Sequence, residues 1–333
     1  MRGGSILVLD GWRGCAILAL LAGHFLSLPM INAGRLGVEL FFVLSGRLMA
    51  EVLFIQRTDL IDWVRRRFAR LVPALWFFLL VMSLLALAIP AWTIGFLDVL
   101  SAGGFYLNYA YGVAAPPPLQ HVWSLCIEAH CYVVLGVIAW LARQLSLQRI
   151  AVLLLGLAGV AMAIGVIQSA QGIGYYAVYW RSETRGAAIL VSAALFLLLR
   201  DVRSPWLFAV CAPLGIALHF NAVPDAMKYT LGTMALAVAV TGAPHAHFLF
   251  KNMLSCAPVR WFGLASYSMY LWQQPFALTQ MPRTVALSGA ILCGAVSFYL
   301  VEAPLRRMLT QRREGMKAAT IPLAGDLKQV GSA

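Results

Sequence analysis

The apolar residues of this chain fall into long runs that recur from one end of the sequence to the other. Runs of about twenty apolar residues cross a bilayer as α-helices, whereas barrel strands alternate in polarity over about ten residues. The pattern therefore predicts an all-α polytopic membrane protein with about ten spans. We expect them near residues 12–31, 36–55, 71–90, 119–141, 149–168, 184–199, 205–221, 226–242, 260–280 and 284–304.

A further apolar segment, residues 91–119, is interrupted by Gly95, Gly103 and Gly104. If it does not cross, most of the 25 Lys and Arg residues fall on the side of both termini, which the positive-inside rule assigns to the cytoplasm. If it crossed, the basic stretch 306–317 would lie outside. We therefore expect a non-crossing or re-entrant segment. An interrupted helix within the membrane is tolerated where it lines a cavity, and such a cavity would give an acceptor a place to enter.

The composition excludes a soluble globular domain, because 61% of the residues are hydrophobic and only 11% are charged, against about a quarter in soluble proteins. The net charge of +12 lies in short loops between spans, so it does not indicate a nucleic-acid partner. The six cysteines have no metal-ligand spacing and are expected to be small core residues. We expect a membrane domain over 1–307 and a short, disordered cytoplasmic tail over 308–333, with membrane lipids as neighbours and no metal.

Two ionisable residues lie in the first apolar run. Arg13 and His24 are eleven residues apart, so on a helix they share one face about 16 Å apart. If the run begins near Trp12, Arg13 lies at the membrane edge and His24 near the middle of the hydrocarbon layer. Ionisable residues at that depth are functional candidates. The alternative is a snorkelling arginine and a histidine satisfied by a neighbouring helix.

A basic cluster marks the start of the third span. Arg65 and Arg66 are explained as anchors at a helix end, whereas Arg67 and Arg70 share one helical face at i and i+3. A pair of guanidinium groups suits phosphate through forked, charge-assisted contacts. We predict that Arg67 and Arg70 bind the phosphates of a cytoplasmic donor. The alternative is that they too are anchors.

The fourth span begins with a second polar motif. Glu128 follows His121 by two helical turns, so we expect both to address the same interior space. A buried carboxylate needs a partner, for which Arg47 and His24 are candidates. A structural ion pair is an equally open interpretation. Glu39 and Glu302 carry the same ambiguity, and we favour a structural role for both.

Taken together, these residues resemble the successive motifs of acyltransferase family 3, integral membrane enzymes that modify sugars and lipids. The resemblance extends from Leu9 to Arg307. The motifs that carry it are Asp10-Gly11-Trp12-Arg13-Gly14 with His24, the stretch from Gly37 to Gly46, Arg67-Phe68-Ala69-Arg70-Leu71-Val72-Pro73, Trp123-Ser124-Leu125 with Glu128, and Ser266-Tyr267-Ser268-Met269-Tyr270-Leu271-Trp272.

The resemblance implies that an acyl group moves from cytoplasmic acyl-CoA to an acceptor hydroxyl, commonly at the outer face. His24 is then the expected general base, because histidine titrates near neutral pH. Arg13 is expected to orient the donor or stabilise the oxyanion, with Glu128 as a third catalytic residue. Acyl-CoA is a co-substrate, and no permanently bound cofactor is expected. Residues expected to contact the acceptor or support the site are Glu39, Ser45, Arg47, His121, Trp123 and Tyr270.

The sequence departs from the family pattern at four positions. Ala129 replaces the usual acidic residue after the motif glutamate, and His130 replaces the usual glutamine. Arg47 stands where an aromatic residue commonly follows the Ser-Gly motif, and Gln273 replaces a common histidine. These changes leave the class intact and the substrate open. We find no hydrolase-like domain after the last span and expect a stand-alone membrane enzyme.

The predicted function is that of a multi-pass inner-membrane O-acyltransferase. It would move an acetyl group to a hydroxyl of a cell-surface glycan or glycolipid, such as a polysaccharide or lipopolysaccharide. The alternative is a transporter or flippase of a lipid-linked sugar, which the missing internal repeat and the short loops disfavour. A structural or sensory subunit is a third interpretation, and the clustered intramembrane charges disfavour it.

Overall fold

The computed structural model of the protein describes residues 2–26 and 28–310, and over these residues it is helical, with no strand beyond one isolated bridge between Ile31 and Phe220. The all-α prediction is therefore confirmed for the described chain. The predicted tail lies almost wholly outside the described residues. The last helical stretch continues through Thr310, and the tail stays a prediction.

The longer helices are α1 (Arg2–Phe25), α2 (Ala33–Ala50), α3 (Leu60–Ala88), α6 (Trp123–Leu141), α7 (Leu147–Ala170), α10 (Ala187–Leu199), α11 (Pro205–Ala217), α13 (Thr233–Gly242), α15 (Ala257–Ala277) and α16 (Arg283–Ser297). Shorter helices connect them: α4 (Phe96–Gly103), α5 (Leu107–Ala110), α8 (Tyr175–Tyr179), α9 (Ser182–Arg185), α12 (Asp225–Met227) and α14 (Phe248–Ser255). Single π-helical turns at Glu51–Ile55 and Phe298–Glu302 extend α2 and α16, and a third at Lys228–Gly232 precedes α13.

Six helical stretches in the described chain are long and apolar enough to cross a membrane, or seven if a pair bent by 96° near residues 245–248 counts as one span. The protein is thus a polytopic membrane protein, and the number of ten spans stays a prediction. The six stretches are Leu7–Phe25, Leu60–Ala88, Pro117–Leu141, Leu147–Ala170, Ser182–Leu199 and Arg283–Thr310. Helix α2 is not among them; it carries Arg35, Glu39 and Arg47 and packs between α1 and α10.

The segment between α3 and α6 contains only short helical pieces. Its longest, α4, has eight residues and is about 12 Å long, too short to cross. Ring contacts join Trp63 to Tyr132 at 6.2 Å and Phe78 to His121 at 5.5 Å, so α3 and α6 run antiparallel. The segment therefore leaves and re-enters the helix bundle at the same end, as a non-crossing segment must.

Helix α1 is held closely between α2 and α15. A Cβ atom built on Gly263 would lie 1.9 Å from the Asp10 carbonyl oxygen, and one on Gly14 would lie 2.0 Å from the Val259 carbonyl oxygen. No larger residue fits at either position without moving the backbones apart. On the other side, the Trp12 indole donates to the Leu40 carbonyl at 3.1 Å. This packing fixes the direction in which Arg13 and His24 point.

Candidate active site

Two cavities meet at the centre of the helix bundle. The first, which we call the arginine cavity, has a volume of about 50 Å³ and is lined by Arg13, Ser45, Arg70, Glu128 and Tyr270, from five different helices. The second, the histidine cavity, has a volume of about 300 Å³ and is lined by His24, His121, Trp123, Tyr270 and Gln273, among others. Most of the residues predicted from sequence thus fall into two adjacent sites rather than one.

Glu128 is the hydrogen-bond acceptor at the base of the arginine cavity. It accepts from Ser45 Oγ at 2.5 Å and from the Tyr132 hydroxyl, one helical turn further along α6. The expectation that Arg47 or His24 is its partner is therefore wrong. Arg47 lies two residues after Ser45 on α2, about 200° around the helix, so it faces away from Glu128.

Arg47 lies outside both cavities. Its guanidinium pairs with Glu51 at 3.0 Å and stands 4.8 Å over the Phe196 ring. The side chain is buried by α10, and its charge is met within its own helix by the i, i+4 carboxylate. Arg47 therefore contacts none of the residues that we place in the reaction.

Three arginines bring positive charge to the arginine cavity. Arg13 pairs with Asp10 at 3.5 Å and lies within electrostatic range of Arg70 and Arg67. Arg70 lines the cavity, whereas Arg67 lines a neighbouring apolar groove and stands 5.6 Å over the Tyr132 ring. The predicted pair is thus close together but divided between two spaces, and Leu71 lines both of them.

Helix α1 begins at Arg2, ten residues before Trp12, so the start predicted for the first apolar helix is too late. Leu7, Val8 and Leu9 continue the apolar run on the other side of Asp10, and α14 and α15 pack against this end. Arg13 is midway along α1, whereas His24 lies in its last turn, exposed to the histidine cavity. The depths of these two side chains in the bilayer stay a prediction.

His121 does not share a space with Glu128, in contrast to the expectation from their spacing. Residues Pro117–Val122 form a 3-10 helix, and α6 begins only at Trp123, so the geometry of two α-helical turns does not apply. His121 is buried beside His24 and the ring of Tyr270, 5.2 Å away, and lines the histidine cavity. Glu128 lines the other cavity.

Tyr270 and Val38 line both cavities and so form the partition between them. The Tyr270 hydroxyl donates to the His121 carbonyl and lies 2.7 Å from Ser124 Oγ. These bonds hold the phenol ring across the passage. A molecule that extends from the arginine cavity to His24 across this partition passes these two side chains.

Aromatic rings form one wall of the histidine cavity. Trp123 stacks almost parallel on Trp180, with ring centroids 5.4 Å apart, and Tyr176 meets Trp180 edge-on at 5.0 Å. Tyr175 is the first residue of the short helix α8, where burial raises the pKa of its phenol, and Arg35 stands 3.5 Å over its ring. The cavity therefore combines flat apolar faces with polar groups at its rim.

The remaining acidic candidates have partners elsewhere. Glu39 forms a fully buried pair with Arg185 and accepts a hydrogen bond from Thr233. Glu302 accepts from Ser268 at 2.7 Å and pairs with Arg306 at 3.5 Å. Neither carboxylate lines a cavity described above. Among the described residues, no group of three or more His, Cys, Asp or Glu is placed to hold a metal ion.

Sequence reasoning missed several residues of these sites. Tyr132 binds Glu128 and underlies Arg67, and its i+4 spacing from Glu128 was a usable signal. Gln273 was noticed only as a departure from the family pattern. Trp180 gave no signal, because it belongs to a loop that is 57 residues distant from Trp123.

Comparison with known proteins identifies the family. The chain is 25% identical to the peptidoglycan O-acetyltransferase OatA of Listeria monocytogenes over 90% of this chain and 55% of that protein. It is 26% identical to the O-acetyltransferase OatA of Staphylococcus aureus over 90% of this chain and 57% of that protein. The chain thus spans about half the length of these curated relatives. No solved structure matches it.

The family model described as an acyltransferase domain matches residues 6–302, which include every residue placed in the two cavities. The motifs that suggested the family are therefore part of one continuous match. This chain belongs to acyltransferase family 3.

Proposed function

We propose that the protein is an inner-membrane O-acetyltransferase that moves an acetyl group from cytoplasmic acetyl-CoA to a hydroxyl of a cell-surface glycan. The observation that carries the proposal is the pair of cavities, one cationic and one containing His24, that meet at Tyr270 and Val38. Two substrates that approach from opposite sides of a membrane need such an arrangement. The names of the relatives, which are O-acetyltransferases, support the choice of acetyl and of a glycan acceptor.

The arginine cavity suits the anionic donor. Four arginines, Arg13, Arg67, Arg70 and Arg306, outnumber the three carboxylates within their range, Asp10, Glu128 and Glu302. Glu128 is already hydrogen-bonded by two hydroxyl groups. The surplus positive charge attracts phosphate and the guanidinium forks bind it. Arg70 is the natural first contact, since it lines the cavity.

The separation of Arg13 and His24 along α1 supports one of the two roles considered for Arg13. Arg13 and His24 are about 16 Å apart along α1, and side chains on a helix lean toward its N-terminus. One carbonyl group cannot contact both residues. Arg13 therefore orients the donor, and the pantetheine arm, whose reach is comparable with this distance, carries the thioester past Tyr270 to His24.

At His24 the reaction is a single acyl transfer. The acceptor hydroxyl oxygen attacks the thioester carbonyl carbon, and His24 takes the hydroxyl proton. The carbon–sulfur bond then breaks, the CoA sulfur leaves with the proton returned from His24, and an ester remains on the acceptor. Glu128 does not contact the reacting atoms in this mechanism. It accepts hydrogen bonds from Ser45 and Tyr132 and so fixes these two side chains beside the arginines.

Incubation of the purified protein with radiolabelled acetyl-CoA and glycan oligosaccharides tests this proposal. Label should appear on the glycan as an alkali-labile ester, and His24→Ala should slow transfer by about 10²–10⁴ while acetyl-CoA still binds. His245→Ala, which changes a loop histidine outside both cavities, is the matched control. A parent protein that neither binds nor consumes acetyl-CoA would be a transporter instead. Near-parental turnover by His24→Ala would exclude His24 as the general base.

A further inference from the structure

We infer that the histidine cavity is the carbohydrate subsite of the acceptor and that Gln273 positions the acceptor hydroxyl beside His24. The inference rests on the proposed function and names the residues that it leaves unassigned. Its starting observation is that Gln273 is fully buried while neither its Oε1 nor its Nε2 has a hydrogen-bond partner among the described residues. Buried polar groups are nearly always paired, so an unpaired amide on a cavity wall indicates a missing ligand.

The position of Gln273 on α15 directs it to this cavity. Tyr270, Gln273 and Gln274 lie at i, i+3 and i+4, which is one helical face, and all three line the histidine cavity. Gln274 is already satisfied, because its Nε2 donates to the Pro117 carbonyl at 3.2 Å. Gln273 therefore retains both a free donor and a free acceptor, which is what a sugar hydroxyl requires.

The walls of the cavity match a sugar ring. The stacked pair Trp123 and Trp180 and the ring of Tyr176 present flat apolar faces, and the side chains that line the cavity include no Asp or Glu. Binding sites of this kind combine aromatic walls with a few polar groups that fix orientation. With about 300 Å³, the space accommodates one sugar residue, and His24 is part of its lining.

The geometry gives Gln273 a defined task. His24 comes from α1 and Gln273 from α15, and both line the cavity that Tyr270 separates from the arginine cavity. A hydroxyl oxygen that accepts a hydrogen bond from Gln273 Nε2 keeps its own proton for His24 and a lone pair for the thioester carbonyl carbon. Gln273 is thus a positioning residue that determines which hydroxyl reacts.

The test compares Gln273→Met, which removes the amide with little change in volume, with Gln168→Met. Gln168 is on α7, outside both cavities, and its Oε1 is also buried without a partner. The probe is a set of soluble oligosaccharides released from peptidoglycan by a muramidase. Three quantities are measured for each variant: oligosaccharide binding by equilibrium dialysis without donor, the KM and kcat of acetyl transfer, and acetyl-CoA affinity.

Gln273→Met should weaken oligosaccharide binding and raise the acceptor KM by about tenfold, the loss of one hydrogen bond to a buried polar group. Its acetyl-CoA affinity should not change, and its unfolding temperature should not fall, because the substitution removes an unpaired buried amide. Gln168→Met should match the parent protein in all three quantities. Trp180→Phe, which keeps a smaller aromatic face, should weaken oligosaccharide binding less than Gln273→Met.

The outcomes separate this inference from the proposed function. If the parent binds the oligosaccharides but transfers no acetyl group, the proposed function fails and the subsite stands. If the parent transfers acetyl and Gln273→Met leaves the acceptor KM unchanged, the subsite is overturned and the proposed function stands. Absence of oligosaccharide binding by the parent, or a loss of donor affinity in Gln273→Met, also overturns the subsite.

Discussion

Arg67 and Arg70 differ in their surroundings although only three residues separate them. Arg70 lines the arginine cavity, whereas Arg67 is held over the Tyr132 ring at the edge of an apolar groove. A charge-assisted contact contributes about 1.5–3 kcal/mol, so Arg70→Ala should weaken acetyl-CoA binding by roughly 10- to 150-fold. Arg67→Ala should have a smaller effect, because Arg67 does not line the cavity.

Isothermal titration of acetyl-CoA measures this difference. Arg70→Lys should recover only part of the affinity, since an ammonium group keeps the charge and loses the forked geometry. Arg66→Ala is the matched control, because Arg66 belongs to the same basic cluster and is exposed. Parental affinity in Arg70→Ala would mean that the cluster is a topological anchor.

At the scale of single residues, the sequence predicted which side chains line the cavities more reliably than it predicted their hydrogen-bond partners. Arg13, His24, Glu128 and Tyr270 all line one of the two cavities. The partner of Glu128 was not predictable from charge, because two hydroxyl groups satisfy it instead of an arginine. A carboxylate accepts equally from a hydroxyl and a guanidinium, and only the rotation of α2 decides which is present.

Helix packing at the α1–α15 crossing positions Arg13. A Cβ atom at Gly263 would lie 1.9 Å from the Asp10 carbonyl oxygen, so Gly263→Ala must move one backbone. Overpacking of this kind costs about 1–3 kcal/mol, and the shift of Asp10 would also displace its partner Arg13. We expect a lower unfolding temperature in detergent and weaker acetyl-CoA binding.

Gly159→Ala on α7 is the matched control for Gly263→Ala. No atom lies within 4 Å of a Cβ at Gly159, and alanine favours the helix by about 1 kcal/mol over glycine. Its unfolding temperature should equal or exceed that of the parent. Parental stability and donor binding in Gly263→Ala would contradict the close contact between α1 and α15.

At the scale of elements, apolar patterning found the long helices and misjudged their ends. The 3-10 helix at Pro117–Val122 follows from consecutive prolines, which lack N–H donors, but the spacing of His121 and Glu128 was interpreted as if the helix were α throughout. Helix α1 starts ten residues before Trp12, because Leu7, Val8 and Leu9 belong to the same apolar run in spite of Asp10, and contacts with distant helices cover this end.

The whole molecule brings the start of α3 and the end of the chain together. The Arg65 guanidinium donates to the Leu309 carbonyl, so these two ends lie on one side of the bundle, in agreement with the distribution of basic residues. The Trp261 indole donates to the Tyr299 hydroxyl at 2.8 Å, and Gly289 packs on Phe276, so α15 and α16 are antiparallel. The connection between them, near Met281, therefore lies on the opposite side from Arg65.

Cysteine labelling in intact cells tests this arrangement and its orientation. In a variant without the six native cysteines, Arg66→Cys and Arg307→Cys should resist an impermeant thiol reagent, because basic loops stay in the cytoplasm. Met281→Cys should react, since Met281 is exposed at the other end of the bundle. All three should react after the membrane is made permeable, which controls for burial.

Labelling of residue 307 with protection of residue 66 would mean that residues 91–119 cross the membrane. Labelling of residues 66 and 307 with protection of residue 281 would mean that the orientation is reversed. The arginine cavity would then be out of reach of cytoplasmic acetyl-CoA.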